Sequence, residues 1–109
     1  MLGLKNIELP LEQVVRALRT AQTTYAEKFF VHLFEGLVTN KEGTVTTVGL
    51  SIAFYRALYG LTRPEQDRAT LVFPVLVEAI RNSGSGGAEF AADMQKFTSQ
   101  FQSTIKTMR

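Results

Sequence analysis

The sequence predicts an all-α fold in one domain that spans residues 1–109. Apolar side chains recur at spacings of three and four residues through most of the chain, which is the period of an amphipathic helix. A strong helix-start signal stands at Thr62–Glu65, and no pair of strands is recognisable. We therefore expect a compact four-helix bundle with short connections. The helices are expected near residues 10–38, 47–60, 63–82 and 88–107.

The first helix is predicted to begin at Pro10, whose missing N–H costs nothing in a first turn. At 1.5 Å per residue, a helix over residues 10–38 would be roughly 40 Å long, which exceeds what a compact domain covers. We therefore expect a break near Thr23–Thr24 or Gly36, or a partner subunit that covers the excess. The apolar stripe of this helix, with one polar position, is Leu11, Val15, Leu18, Gln22, Tyr25, Phe29 and Leu33.

Residues 44–50 are rich in β-branched side chains, which favour a strand. No second strand is evident to pair with them, and a lone strand leaves its backbone groups without partners. We therefore predict a loop that leads into the second helix, capped at Thr46 or Thr47 and ending at Gly60.

The third helix is predicted from a capping box, in which Thr62 and Glu65 bond to each other's backbone N–H groups. Its middle, Leu71–Val77, is apolar on every side, and such a helix is normally buried all round. Pro74 cannot donate to the carbonyl of Thr70, so a kink is expected there.

Residues 83–87, Ser-Gly-Ser-Gly-Gly, are typical of a flexible connector. The C-terminal helix that follows has a narrow apolar stripe with spacings close to a heptad repeat. Its other positions, including Asp93, are polar, and we expect them to face solvent.

Composition limits the chemistry. The chain has no cysteine, one histidine and a net charge of +2 with interleaved signs. Disulfides, thiol catalysis and cysteine-ligated metals are therefore excluded. We expect no cofactor and no metal, because one histidine and scattered carboxylates supply no ligand spacing. We also expect no membrane association, because neither an apolar run of about 20 residues nor a secretory signal is present. The expected location is the cytoplasm.

Because no catalytic constellation is recognisable, we expect a non-enzymatic interaction module, such as a small regulator, adaptor or chaperone. The apolar stripes on the first and last helices exceed what a chain of this length is expected to bury alone. They therefore predict binding to a protein partner or, more specifically, a homodimer. The expected interface consists of Phe30, Phe34, Leu37, Phe90, Met94, Phe97, Phe101 and Ile105.

Two other functions are compatible with the sequence. The helix that starts at Arg63 could read DNA, with Arg63, Gln66 and Arg68 as contacts, although acidic residues alternate with them. An enzyme would use His32 as a base oriented by Glu35, three residues further along the helix. No third catalytic group is indicated beside that pair.

Overall fold

Six α-helices and a two-stranded sheet make up residues 3–107, the part of the chain that the computed structural model describes. The chain is thus mainly helical, as predicted, but it has more helices than the expected four. The radius of gyration is 12.7 Å, close to the value of about 13 Å for a compact chain of this length. The elements are β1 (Glu8–Pro10), α1 (Leu11–Ala21), a 3₁₀ turn (Thr24–Ala26), α2 (Glu27–Val38), β2 (Thr44–Thr46), α3 (Thr47–Leu58), α4 (Arg63–Arg81), α5 (Gly87–Gln95) and α6 (Thr98–Thr107).

The long first helix is broken at one of the two positions expected. Thr23 has extended backbone angles, and its side chain accepts a hydrogen bond from the N–H of Tyr25 at 3.2 Å. This bond caps the 3₁₀ turn and separates α1 from α2. Gly36 lies inside α2 without interrupting it, so the break near Thr23–Thr24 is confirmed.

The expectation that residues 44–50 contain no paired strand is wrong for 44–46. β2 pairs with β1 in antiparallel register, and Leu9 stands opposite Val45. Both of these side chains are buried, so the two-stranded sheet has one face on the core. A three-residue strand that includes Pro10 carries too little periodicity to be recognised. The predicted cap at Thr46 is confirmed, because its hydroxyl accepts from the N–H of Gly49 at 3.0 Å.

The capping box at the start of α4 is confirmed. The carboxylate of Glu65 accepts from the N–H of Thr62 at 2.7 Å, and the Thr62 hydroxyl accepts from the N–H of Glu65 at 3.4 Å. The helix continues through Pro74 to Arg81. A kink at Pro74 stays a prediction.

The prediction that Leu71–Val77 is buried on every side is wrong. One face of α4 is buried in the core, and within this run it consists of Val72, Phe73, Leu76 and Val77. Leu71 and Val75 are 64% and 54% exposed, and Pro74 between them is exposed as well. The apolar run therefore serves two environments, the core on one face and open surface on the other.

Residues 83–87, predicted as a flexible connector, form a turn with side-chain contacts to α1. The side-chain amide of Gln13 donates to the Ser83 hydroxyl at 2.9 Å and to the Ser85 carbonyl at 3.1 Å. Gly87 is buried, and a Cβ there would collide with the carbonyl of Ile80. The turn thus fixes how α5 leaves α4.

The C-terminal segment divides into α5 and α6 at Lys96–Phe97, and its apolar stripe enters an aromatic core. Phe101 stacks on Phe73 with ring centroids 5.0 Å apart, and Phe54 meets Phe73 edge-on at 5.3 Å. Phe97 lies 5.6 Å from Phe101. These rings join α3, α4 and α6 into one core.

Candidate functional site

The residues predicted as a dimer interface pack within the chain's own core. Phe30, Phe90, Met94, Phe97 and Phe101 have no exposed surface, and Leu37 and Ile105 are 3% and 2% exposed. Phe34 alone is half-buried. The expectation that one chain has too few elements to bury both stripes is therefore wrong. The unrecognised two-stranded sheet and the folding back of α5 and α6 supply the missing cover.

The residues predicted for DNA contact do not form one surface. Gln66 is buried, and its side-chain amide donates to the carbonyl of Leu58 at 3.2 Å. Arg63 and Arg68 are exposed, but five residues of helix place them about 140° apart around the axis. Arg68 lies over the ring of Tyr25 at 5.7 Å. Gln66 thus fastens α4 to α3 instead of reaching outward.

His32 and Glu35 do not form the pair that a catalytic role requires. Nδ1 of His32 lies 3.2 Å from the carbonyl oxygen of Ala57. Because a carbonyl can only accept, this contact assigns the proton to Nδ1. Glu35 is exposed, and no ion pair joins it to His32 in residues 3–107. The contact ties α2 to α3.

A buried carboxylate, Asp93, is the polar feature that sequence analysis missed. It is 2% exposed and accepts from the backbone N–H of Lys5 at 2.9 Å and from the Thr47 hydroxyl at 2.6 Å. The same hydroxyl accepts from the N–H of Ile7 at 3.2 Å. Asp93 therefore fastens the N-terminal segment and the start of α3 to α5. One buried position within an otherwise polar helical face leaves no signal in the sequence pattern.

The pKa of Asp93 lies below its ordinary value although the group is buried. Burial is the largest single influence and raises the pKa, but the hydrogen bonds from Lys5, Thr47 and the backbone of Asn6, with the charge of Lys96, together outweigh it. The ammonium group of Lys96 lies 3.7 Å from the carboxylate. Donors aimed at a carboxylate stabilise its charged form. Asp93 thus acts as a charged structural clasp.

An open groove runs along α1, and we name it the α1 groove. Its volume is about 800 Å³. The N–H of Leu11 donates to the carbonyl of Gly43 at 2.9 Å, and this bond places the turn before β2 beside the helix. The lining consists of Leu11, Glu12, Val15, Arg16, Arg19, Thr20 and Gly43.

The α1 groove combines an apolar floor with a basic end. Leu11 and Val15 are half-buried, whereas Arg16 and Arg19 are exposed. No ion pair in residues 3–107 involves either arginine. The guanidinium of Arg19 lies over the ring of Phe34 at 5.8 Å, which holds the charge at the groove's edge. Glu12 lies about 6 Å from Arg16 along the helix axis, toward the opposite end.

Sequence analysis assigned Leu11 and Val15 to the buried stripe and so did not find this groove. The face of α1 that packs inward is Val14, Ala17 and Leu18, which is rotated from the expected one. Two apolar residues at the margin of a buried stripe look like core in a helical pattern. Their exposure depends on which elements pack beside α1, which periodicity does not encode.

Residues 3–107 contain no group of three or more His, Cys, Asp or Glu side chains arranged to hold a metal ion. Within the same part of the chain, no helix is long and apolar enough to cross a membrane. Comparison with protein-family models, curated proteins and solved structures finds no match to this chain.

Proposed function

We propose that this chain is a non-enzymatic protein-interaction module that binds a short segment of a partner protein in the α1 groove. The observation that carries this function is the apolar floor of the groove beside Arg16 and Arg19. Neither arginine forms an ion pair with a carboxylate of residues 3–107. Recognition grooves commonly combine apolar contacts with a few polar groups that set orientation.

The ligand that fits this groove is an amphipathic segment with acidic side chains toward one end. Two apolar side chains would cover Leu11 and Val15, and carboxylates would pair with Arg16 and Arg19. Arginine binds carboxylates through two parallel hydrogen bonds, which adds geometric selectivity to charge attraction. Glu12 would repel acidic residues at the opposite end, so the segment would bind in one direction.

This function assigns no catalytic residue. His32 is engaged by the carbonyl of Ala57, and Asp93 is surrounded by its own donors. Neither group lines the α1 groove. A binding role for the exposed arginines of α1 needs no further chemistry from the chain.

The test is selection of peptides of about 12 residues from a random display library against the immobilised full chain. We expect enriched peptides to carry apolar residues at one end and Asp or Glu at the other. The order of the two ends should be the same in all of them. Arg16→Glu/Arg19→Glu should weaken their binding by at least about tenfold, measured by fluorescence polarisation. Val15→Ser should weaken it by a similar factor through the loss of apolar contact.

The matched control is Arg56→Glu/Arg63→Glu, which makes the same change of net charge at two exposed arginines outside the groove. Its peptide affinity should stay within about twofold of the wild type at about 0.15 M salt, where distant surface charges are screened. Enriched peptides without acidic residues, or equal losses in the control, would contradict binding in the α1 groove.

A further inference from the structure

The outer face of α4 carries an apolar stripe, Leu71, Pro74 and Val75, which we name the outer stripe. Its members stand at positions i, i+3 and i+4 and so lie next to one another on the helix surface. Leu71 and Val75 are 64% and 54% exposed. Single exposed apolar residues are ordinary, but contiguous ones mark contact surfaces.

We propose that the outer stripe is the interface through which two copies of this chain associate, with their α4 helices antiparallel. A two-fold axis that crosses the outer face of α4 at the level of residue 73 would place Leu71 of each copy against Val75 of the other. The same axis would place Arg68 of each copy opposite Glu78 of the other. Two-fold interfaces are self-complementary in this way.

Charge selects the antiparallel arrangement over the parallel one. Arg68 and Glu78 lie about 15 Å apart along α4, on either side of the outer stripe. In a parallel pair Arg68 would face Arg68 of the second copy and Glu78 would face Glu78, and these like charges would repel each other. Both side chains are exposed. Arg68 lies over the ring of Tyr25 at 5.7 Å, and pairing with Glu78 of the second copy would add to this contact or replace it. Glu78 also pairs with Arg81 at 3.2 Å, and a carboxylate with two oxygens can accept from a second guanidinium.

A groove between α4 and α6 borders the outer stripe and gives the second copy a depression to fill. Its volume is about 410 Å³, and Leu71, Thr70 and Ile105 are among the residues that line it. One helix face with this flank falls in the size class of weak interfaces, below about 1,200 Å² in total. We therefore expect a weak, reversible dimer.

Sedimentation equilibrium of the full chain between about 5 and about 500 µM tests this dimer. The apparent mass should rise with concentration from 12.1 kDa toward twice that value. Leu71→Ser/Val75→Ser should raise the dissociation constant by at least about tenfold. The control is Val38→Ser, which changes a side chain that is 70% exposed at the end of α2 and should leave the dimer intact.

Charge exchange tests the orientation. Arg68→Glu and Glu78→Arg should each weaken the dimer, and Arg68→Glu/Glu78→Arg should restore it. Because the chain has no cysteine, a mixture of Arg68→Cys and Glu78→Cys chains should form a heterodimer with a short bismaleimide, whereas neither variant alone should.

A mass of 12.1 kDa at every concentration would overturn this interface. So would a dimer that persists in Leu71→Ser/Val75→Ser, since that outcome would place the contact elsewhere, for example in an exchange of α5 and α6. Loss of peptide binding in the α1 groove variants has no effect on this test, so the two surfaces succeed or fail separately.

Discussion

The stripe on α5 and α6 and the outer stripe of α4 differ in what surrounds them. Phe97 and Phe101 have no exposed surface, whereas Leu71 and Val75 are 64% and 54% exposed. Both stripes are apolar residues at helical spacing, so periodicity alone predicts burial for each. The difference arises because α4 already buries its opposite face, on Val72, Phe73, Leu76 and Val77. In this chain the other elements cover the apolar middle of α4 on one side only.

The largest difference between the two stripes should appear when one side chain of each is truncated. Phe101→Ala should lower the free energy of unfolding by about 3–5 kcal/mol, because it removes a fully buried ring and leaves a cavity. Leu71→Ala should change it by less than about 0.5 kcal/mol in the monomer, since this side chain is largely solvated. Urea unfolding at a concentration that keeps the chain monomeric measures both. Equal losses in the two variants would mean that α4 is covered on both faces.

The second prediction concerns the turn that brings the C-terminal stripe back onto α4. In Gly87→Ala the new Cβ would meet the carbonyl of Ile80 and lie 2.9 Å from the Ser83 hydroxyl. Because backbone must shift to relieve this crowding, we expect a loss of about 1–3 kcal/mol in the free energy of unfolding. Urea unfolding measures it.

The matched control for this turn is Gly36→Ala in α2. A Cβ at Gly36 has no neighbour within 4 Å, so alanine should stabilise the helix by about 0.5–1 kcal/mol. If Gly87→Ala also stabilises the protein, residues 83–87 are the flexible connector that their composition suggests.

Sequence reasoning found the elements whose signals are local. The capping box at Thr62–Glu65 and the cap at Thr46 each depend on a few adjacent residues, and both are present. The break near Thr23 is expected from the length of the first helix, with Gly36 as the alternative position, and it is present as well. Sequence reasoning missed what depends on distant neighbours. β1 becomes a strand only because β2 lies beside it, and Asp93 is buried only because Lys5 and Thr47 lie across from it.

The α1 groove and the outer stripe were missed for the same reason. The floor of the groove and the whole of the stripe are apolar residues that a helical pattern assigns to the core, and their exposure is decided by which elements pack next to them. Phe97 and Phe101 show the converse, since a stripe predicted as an interface is covered once α5 and α6 fold back. Local pattern locates an apolar face, and tertiary packing decides what covers it.

The third prediction concerns Asp93, which fastens α5 beside the buried stripe. Asp93→Asn should lower the free energy of unfolding at pH 7 by about 1–3 kcal/mol, because an amide cannot replace a charged acceptor for both Lys5 and Thr47. The folded pKa of Asp93 is lowered, so its contribution is present above the unfolded value of about 3.9 and is lost as pH falls through the folded value.

Urea unfolding from pH 7 down to about pH 2 tests that sign. The difference between wild type and Asp93→Asn should be full near neutrality and should shrink below about pH 4. Glu35→Gln, a change at an exposed carboxylate, serves as the control and should leave the wild-type profile in place. A difference that grows in acid would contradict a lowered pKa for Asp93.

The smallest expected effect lies at the edge of the buried stripe, where Tyr55 meets Phe97 edge-on with ring centroids 5.0 Å apart. The phenol oxygen of Tyr55 is buried and has no hydrogen-bond partner among residues 3–107. A desolvated hydroxyl without a partner lowers stability, so its removal should be neutral or favourable. Tyr55→Phe keeps the ring and its contact with Phe97, and we expect the free energy of unfolding to rise by up to about 1 kcal/mol.

Tyr59→Phe, at a ring that is 64% exposed, is the control and should change the free energy of unfolding by less than about 0.5 kcal/mol. A loss greater than about 1 kcal/mol in Tyr55→Phe would show that the hydroxyl is bonded in solution, and the packing around Phe97 would then include a polar contact that the outer stripe of α4 lacks.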